Sequence, residues 1–103
     1  MARKSKLERL KALCAADPKN PFGWYSLAIE QKETDAREAI EVFAKVHDEH
    51  PEYLANYYHF AGTLAEEGEV ERAQVIYEEG IALAKKQGDA HTLSELEAAL
   101  DLL

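Results

Sequence analysis

Two stretches of this sequence, 22–51 and 55–85, repeat one pattern of residue types with a period of about 34 residues. Large and small apolar residues recur at matching positions in the two copies. The first part of each copy pairs Trp24 with Tyr57, Leu27 with Phe60 and Ala28 with Ala61, and the second part, where the spacing is one position longer, pairs Ala39 with Ala73, Phe43 with Tyr77 and Val46 with Gly80. A repeat of this length is typical of proteins built by stacking one helix–turn–helix unit on the next.

Within each copy the apolar residues recur every three to four positions, which is the period of an α-helix and not of a strand. The pattern predicts six helices, at about 6–16, 21–32, 35–49, 52–67, 70–87 and 90–102. The turns between them are short, so consecutive helices should pack antiparallel. The predicted fold class is therefore all-α.

The predicted helix ends carry the residue types that helix ends require. Ser5 and Glu8 have the spacing of a capping box, and Asn20, followed by a proline, is a suitable N-cap. Asp35 can cap the third helix. Gly68 lies between the fourth and fifth helices, where a left-handed backbone ends a helix without a steric penalty.

The repeated residues resemble the tetratricopeptide repeat, whose pattern is Trp, Leu-Gly and Tyr in the first helix and Ala, an aromatic residue, Ala and a late Pro in the second. The first copy supplies Trp24, Leu27-Ala28, Ala39, Phe43 and Pro51, and the second supplies Tyr57, Phe60-Ala61, Ala73, Tyr77 and Gly80. Small residues let helix backbones approach each other while large ones fill the gaps opposite. Three positions depart from the pattern, where Gln31 and Leu64 replace Tyr and Lys85 replaces Pro.

The resemblance implies a short right-handed α-solenoid forming a single domain over residues 1–103. Its expected parts are an N-terminal half-repeat at 1–20, repeats at 21–51 and 52–88, and a closing helix at 89–103. Lys85 in place of Pro suggests that the fifth helix continues past its usual end. In the closing helix we expect Leu93, Leu96 and Leu100 to be buried on one stripe.

The resemblance also implies a concave surface formed by the first helix of each repeat. The candidate partner-binding residues there are Phe22, Tyr25, Ile29 and Lys32 in the first copy and Tyr58, Gly62 and Ala65 in the second. We expect this surface to bind an apolar or aromatic segment of a protein or peptide partner, without catalysis. The alternative is a structural homo-oligomer that uses the same face for self-association.

Charge is uneven along the chain, with +4 over residues 1–19 and −12 over the rest, for a total of −8. An acidic body repels nucleic acid and anionic membranes, so neither is expected as a partner. The longest apolar run is far shorter than the ~20 residues of a membrane-spanning helix, and the N-terminus lacks a signal-peptide core. A cytoplasmic location is the expectation.

The sequence contains no motif for phosphate binding, catalysis or a cofactor. His47 and His50 are spaced three apart, but they end a predicted helix, where histidine is favoured by the free carbonyls, and we expect no metal there. Cys14, the only cysteine, lies on an apolar stripe and is expected to be a small buried side chain. The chain is therefore not expected to be an enzyme.

Overall fold

The computed structural model describes residues 5–103 and contains six helices and no strand within that range. The helices are α1 (Lys6–Ala16), α2 (Pro21–Gln31), α3 (Ala36–Glu49), α4 (Ala55–Glu66), α5 (Val70–Gln87) and α6 (Ala90–Asp101). The all-α prediction is confirmed, and the helix bounds agree with the expected ones to within one residue, except that α4 begins at Ala55 instead of residue 52. There the backbone of residues 51–54 forms a turn, with the Asn56 N–H bonded to the Tyr53 carbonyl.

The predicted helix ends have the expected chemistry. The Ser5 hydroxyl accepts a hydrogen bond from the Glu8 N–H, and the Asn20 and Asp35 side chains accept from N–H groups in the first turns of α2 and α3. Gly68 adopts φ 85°, the left-handed conformation expected between α4 and α5. The fifth helix does run on, to Gln87, and ends at the left-handed Gly88. Side-chain caps thus start α1, α2, α3 and α6, whereas α4 and α5 begin without one.

The chain divides into two compact units, residues 1–50 and 51–103, of which the first is described from residue 5. In the first unit α2 packs against α1 and α3, and its buried apolar side chains are Cys14, Leu27, Ala28, Ala39, Ile40, Phe43 and Val46. Full burial of one such large side chain stabilises a fold by roughly 1.5–3 kcal/mol. The single-domain organisation proposed from the sequence, with a half-repeat and a closing helix, remains a prediction.

In the second unit α5 packs against α4 and α6. Its buried apolar side chains include Tyr57, Phe60, Ala61, Leu64, Ala73, Ile76, Tyr77 and Leu96. The helices pack tightly at Gly80, where an added Cβ would lie only 2.8 Å from the Tyr57 Cβ and 3.2 Å from a Leu96 methyl carbon. Glycine at this position thus lets α4 and α6 both approach α5.

The expectation that α6 hides three leucines is wrong in part. Leu96 is fully buried, but Leu93 and Leu100 are only half-buried. All three lie on one stripe of the helix, as the spacing requires. The helices packed against α6 enclose only the central residue of the stripe.

Candidate functional site

The first part of the candidate surface is a row of side chains on α2. Helix α2 starts at Pro21, so Phe22, Tyr25, Ile29 and Lys32 follow one another at spacings of three and four residues and share a face. Phe22 is 56% exposed, and the other three are partly exposed. None of them belongs to the core of the first unit. This row is an apolar and aromatic strip with one cation at its end.

The second part is the corresponding row on α4. Tyr58, Gly62 and Ala65 share a face of that helix, and Glu66 continues the row beyond Gly62 by one more turn. Tyr58 is 40% exposed, and Gly62 and Ala65 are partly exposed. All seven residues selected from the sequence are therefore accessible, four in the first unit and three in the second.

Sequence reasoning missed Tyr77, which it treated only as a core aromatic. The Tyr77 residue is 5% exposed, yet its hydroxyl oxygen lies 3.5 Å from the position that a Cβ on Gly62 would occupy. No hydrogen bond joins this hydroxyl to another of residues 5–103. Gly62 thus leaves a notch in the α4 row, and the Tyr77 hydroxyl forms part of its floor.

The same place in the first unit is closed and apolar. When the two copies are aligned as above, Gly62 corresponds to Ile29, and Tyr77 corresponds to Phe43. An isoleucine fills the position that the glycine leaves open, and the phenylalanine, which is fully buried, has no hydroxyl. This paired difference between the copies is the sequence signal that could have identified the notch.

Electrostatics around the notch are acidic. Burial raises the pKa of the Tyr77 hydroxyl, and the neighbouring Tyr58 and Glu66 raise it further, so the hydroxyl keeps its proton. Glu66 is exposed and has no ion-pair partner within residues 5–103. The uneven charge also separates by unit, because residues 1–50 carry nine basic and nine acidic side chains whereas residues 51–103 carry three and eleven. The whole formal charge of −8 therefore belongs to the second unit.

Other reactive groups do not assemble into a site. Cys14 is buried as expected, and burial raises the pKa of its thiol, which disfavours the reactive thiolate. His47 lies 3.6 Å from an Asp48 carboxylate oxygen, and the His50 backbone caps α3. Among the described residues no three His, Cys, Asp or Glu side chains are grouped closely enough to hold a metal ion. In the same range no helix is both long enough and apolar enough to span a bilayer.

A shallow cleft in the first unit lies between α1, α2 and α3. It has a volume of about 310 Å³ and is lined by apolar side chains together with Lys11, Gln31 and Glu38. The Gln31 amide nitrogen donates to the Glu38 carboxylate at 3.1 Å, while its amide oxygen is buried without a hydrogen-bond partner. The unpartnered Gln31 oxygen is itself buried, so the polar groups that the cleft offers are the exposed Lys11 and Glu38 side chains.

Comparison with known proteins agrees with the repeat pattern. The tetratricopeptide repeat family model matches residues 30–102. A search of curated proteins finds no match.

Two solved structures of a tetratricopeptide repeat domain protein from Salinibacter ruber are similar to this chain. The crystal structure is 32% identical with a TM-score of 0.74 and covers 79% of this chain and 91% of its own. The solution structure is 33% identical with a TM-score of 0.76, and the match covers 82% of this chain and 86% of the Salinibacter chain. A solution structure of a protein from Bordetella parapertussis is 25% identical with a TM-score of 0.81, and the match covers 96% of this chain and 87% of the Bordetella chain. The family match runs from the last residues of α2 through α6, which is more than half of the chain, and the chain belongs to the tetratricopeptide repeat family.

Proposed function

We propose that this protein is a binding module whose exposed rows on α2, in the first unit, and on α4, in the second, each take an apolar or aromatic segment of a partner protein. Tetratricopeptide repeat domains generally mediate protein–protein interaction. The observation that carries the finer proposal is the exposure of aromatic rings on these two helices, with Phe22 56% and Tyr58 40% exposed. Large rings left in water at helical spacing are the usual anchors of protein interfaces.

The chemistry of each row supports an apolar segment as the ligand. On α2 an aromatic and aliphatic strip, Phe22, Tyr25 and Ile29, offers area that gains free energy when it leaves water. On α4 the ring of Tyr58 stands beside the small residues Gly62 and Ala65, which let a partner backbone approach closely. Tyrosine hydroxyls add hydrogen bonds that orient the ligand.

A displayed library of random peptides, selected against the full chain, tests this proposal. We expect the selected peptides to be rich in aromatic and apolar residues. A fluorescent copy of a selected peptide should lose at least about tenfold in affinity for Tyr25→Ala and for Tyr58→Ala, since aromatic anchors contribute ~2 kcal/mol or more on truncation. Circular dichroism should show unchanged helix content in both variants.

Glu41→Ala and Glu78→Ala are the controls, because both side chains are exposed and lie on α3 and α5, the second helix of each copy. Binding that survives both tyrosine changes but fails on loss of these carboxylates would place the interface on the other face. Sedimentation of the chain without peptide tests the alternative. A mass that rises with concentration, and that either tyrosine change returns to the monomer, would assign the same face to self-association.

A further inference from the structure

The notch at Gly62 in the second unit is a polar element within an otherwise apolar surface. Tyr58, Gly62 and Glu66 follow one another every four residues along α4, so they lie in one row with the glycine in the middle. The Tyr77 hydroxyl from α5 lies under the glycine, 3.5 Å from the position of an added Cβ. A ligand group entering this row meets an aromatic ring, a hydroxyl and a carboxylate in sequence.

Two of these groups lack a polar partner in the protein. The Tyr77 hydroxyl belongs to a residue that is only 5% exposed, and neither a donor nor an acceptor within residues 5–103 satisfies it. Glu66, at the end of the row, is likewise not ion-paired within that range. The Tyr77 hydroxyl is not among the fully enclosed polar atoms of the described residues, so it opens into the notch and is available to a ligand group.

Charge identifies the type of ligand. The second unit carries all of the net negative charge, and the notch itself ends on a carboxylate. A phenol oxygen and a carboxylate both accept hydrogen bonds, and the face of an exposed tyrosine ring attracts a cation. A partner carboxylate would find no basic side chain along this row and would be repelled.

We propose that the notch formed by Tyr58, Gly62, Glu66 and Tyr77 binds a basic side chain, arginine or lysine, of the partner segment. The aliphatic stem passes over the Tyr58 ring, and the cationic head donates hydrogen bonds to the Tyr77 hydroxyl oxygen and to the Glu66 carboxylate. Burial and the neighbouring Glu66 keep Tyr77 protonated, so it meets the cation as a neutral acceptor. The inference rests on the proposed peptide-binding function and adds the determinant of its specificity.

The corresponding place in the first unit supplies the matched comparison. There Ile29 and Phe43 stand where the second unit has Gly62 and Tyr77, so no notch and no hydroxyl are present. The variant Tyr77→Phe therefore installs the residue that the first copy already uses, and it removes only one oxygen. Gly62→Ala adds a methyl group at ordinary contact distance from the hydroxyl and blocks access to it without a steric clash.

The experiment repeats the peptide-library selection on the wild-type chain, Tyr77→Phe, Gly62→Ala and Glu66→Gln. We expect wild-type selections to fix arginine or lysine at one position among apolar residues and the three variants to lose that preference. For one selected peptide, replacement of its arginine by the neutral isostere citrulline should weaken binding about tenfold, the usual effect of losing a hydrogen bond to a charged group. In Tyr77→Phe the same replacement should cost less than in the wild type, because only the Glu66 carboxylate then remains as an acceptor. Glu97→Gln is the charge control, because Glu97 is an exposed carboxylate on α6.

The outcomes separate the two proposals. Apolar peptides without a fixed basic residue, or a basic preference that Tyr77→Phe leaves intact, would overturn the notch while the peptide-binding function stands. Failure to select any peptide whose binding depends on Tyr25 or Tyr58 would remove the proposed function and the notch with it. Equal losses in Glu66→Gln and Glu97→Gln would show a general charge attraction and would also overturn the notch.

Discussion

The indole N–H of Trp24 donates a hydrogen bond of 2.8 Å to the carbonyl oxygen of Pro18. The same link recurs one repeat later, where the Tyr57 hydroxyl donates to the Pro51 carbonyl. Each aromatic residue stands six positions after its proline and ties the preceding turn to the helix that follows. A Trp and a Tyr are therefore equivalent at this position because each places a donor at the far edge of a large ring.

Tyr57→Phe should destabilise the chain modestly. The ring stays in place, but the Pro51 carbonyl loses its donor, and the net cost of one such hydrogen bond is about 0.5–1.5 kcal/mol. Urea unfolding of the variant measures this cost. Trp24→Phe removes the corresponding bond in the first unit together with part of the ring, so its cost should be the larger of the two. A Tyr57→Phe variant as stable as the wild type would show that the turn does not need the hydroxyl.

Gly80→Ala and Gly62→Ala should act in opposite directions. At Gly80 an added methyl group would lie 2.8 Å from the Tyr57 Cβ and would push α4 away from α5, and overpacking of this type costs about 1–3 kcal/mol. At Gly62 the methyl group meets only the Tyr77 hydroxyl at 3.5 Å, so the variant should gain up to ~1 kcal/mol from helix propensity. Thermal unfolding of the two variants side by side tests the pair. Equal shifts of the two melting temperatures would mean that the loss of backbone freedom, and not packing, determines the stability of both variants.

Leu96→Ala should destabilise the second unit by about 2–5 kcal/mol, the usual cost of removing a large core side chain. Leu96 is fully buried next to Gly80, while Leu102, six residues on, is 87% exposed. Leu102→Ala is therefore the control and should change the unfolding free energy little.

Deletion of residues 89–103 should lower the melting temperature strongly or cause aggregation. A truncated chain that melts at the parent temperature would contradict the stabilising role of α6.

Stability in acid should depend on Asp89, which caps α6. Its carboxylate accepts hydrogen bonds from the Thr92 N–H and hydroxyl, and these bonds lower the pKa of Asp89. Because the folded-state pKa lies below the unfolded one, the ionised carboxylate contributes stability above the ordinary carboxyl range, and this contribution is lost as pH falls through the lowered pKa. Asp89→Asn keeps a capping oxygen but cannot ionise. We expect its melting temperature to fall less between pH 6 and pH 3 (both within about three units of an ordinary carboxyl pKa) than that of the wild type.

Much of the fold could be predicted from the sequence because its determinants are local. Asn20 and Asp35 cap helices through their own side chains, and Gly68 ends one through its own backbone. The pairing of Gly80 with Tyr57 was also predictable in kind, since a small residue in a repeat indicates a close helix approach. How far each leucine of α6 is covered could not be predicted, because a stripe shows which face is apolar and not how wide the neighbouring surface is.

The exposure of the candidate residues could be predicted, but the chemistry around them could not. The face of α2 and α4 follows from helical spacing, so the seven residues chosen from the sequence are accessible in the structure. The repeat pattern marks Tyr77, like Phe43, only as a packing aromatic, and both residues are indeed buried. The surroundings of the Tyr77 hydroxyl oxygen depend on Gly62, which belongs to another helix. Only the three-dimensional packing brings these two residues together.

The contact between Gly80 and Tyr57 also fixes the longitudinal position of α5 against α4. One turn before Gly80 stands Ile76, and one turn after it stands Ala84, so a slip of either helix by a turn would bring a Cβ against the tyrosine. Only the glycine admits the ring, which means that the pair has a single allowed alignment along the helix axis. The absence of a side chain at Gly80 therefore fixes the alignment of α5 along α4.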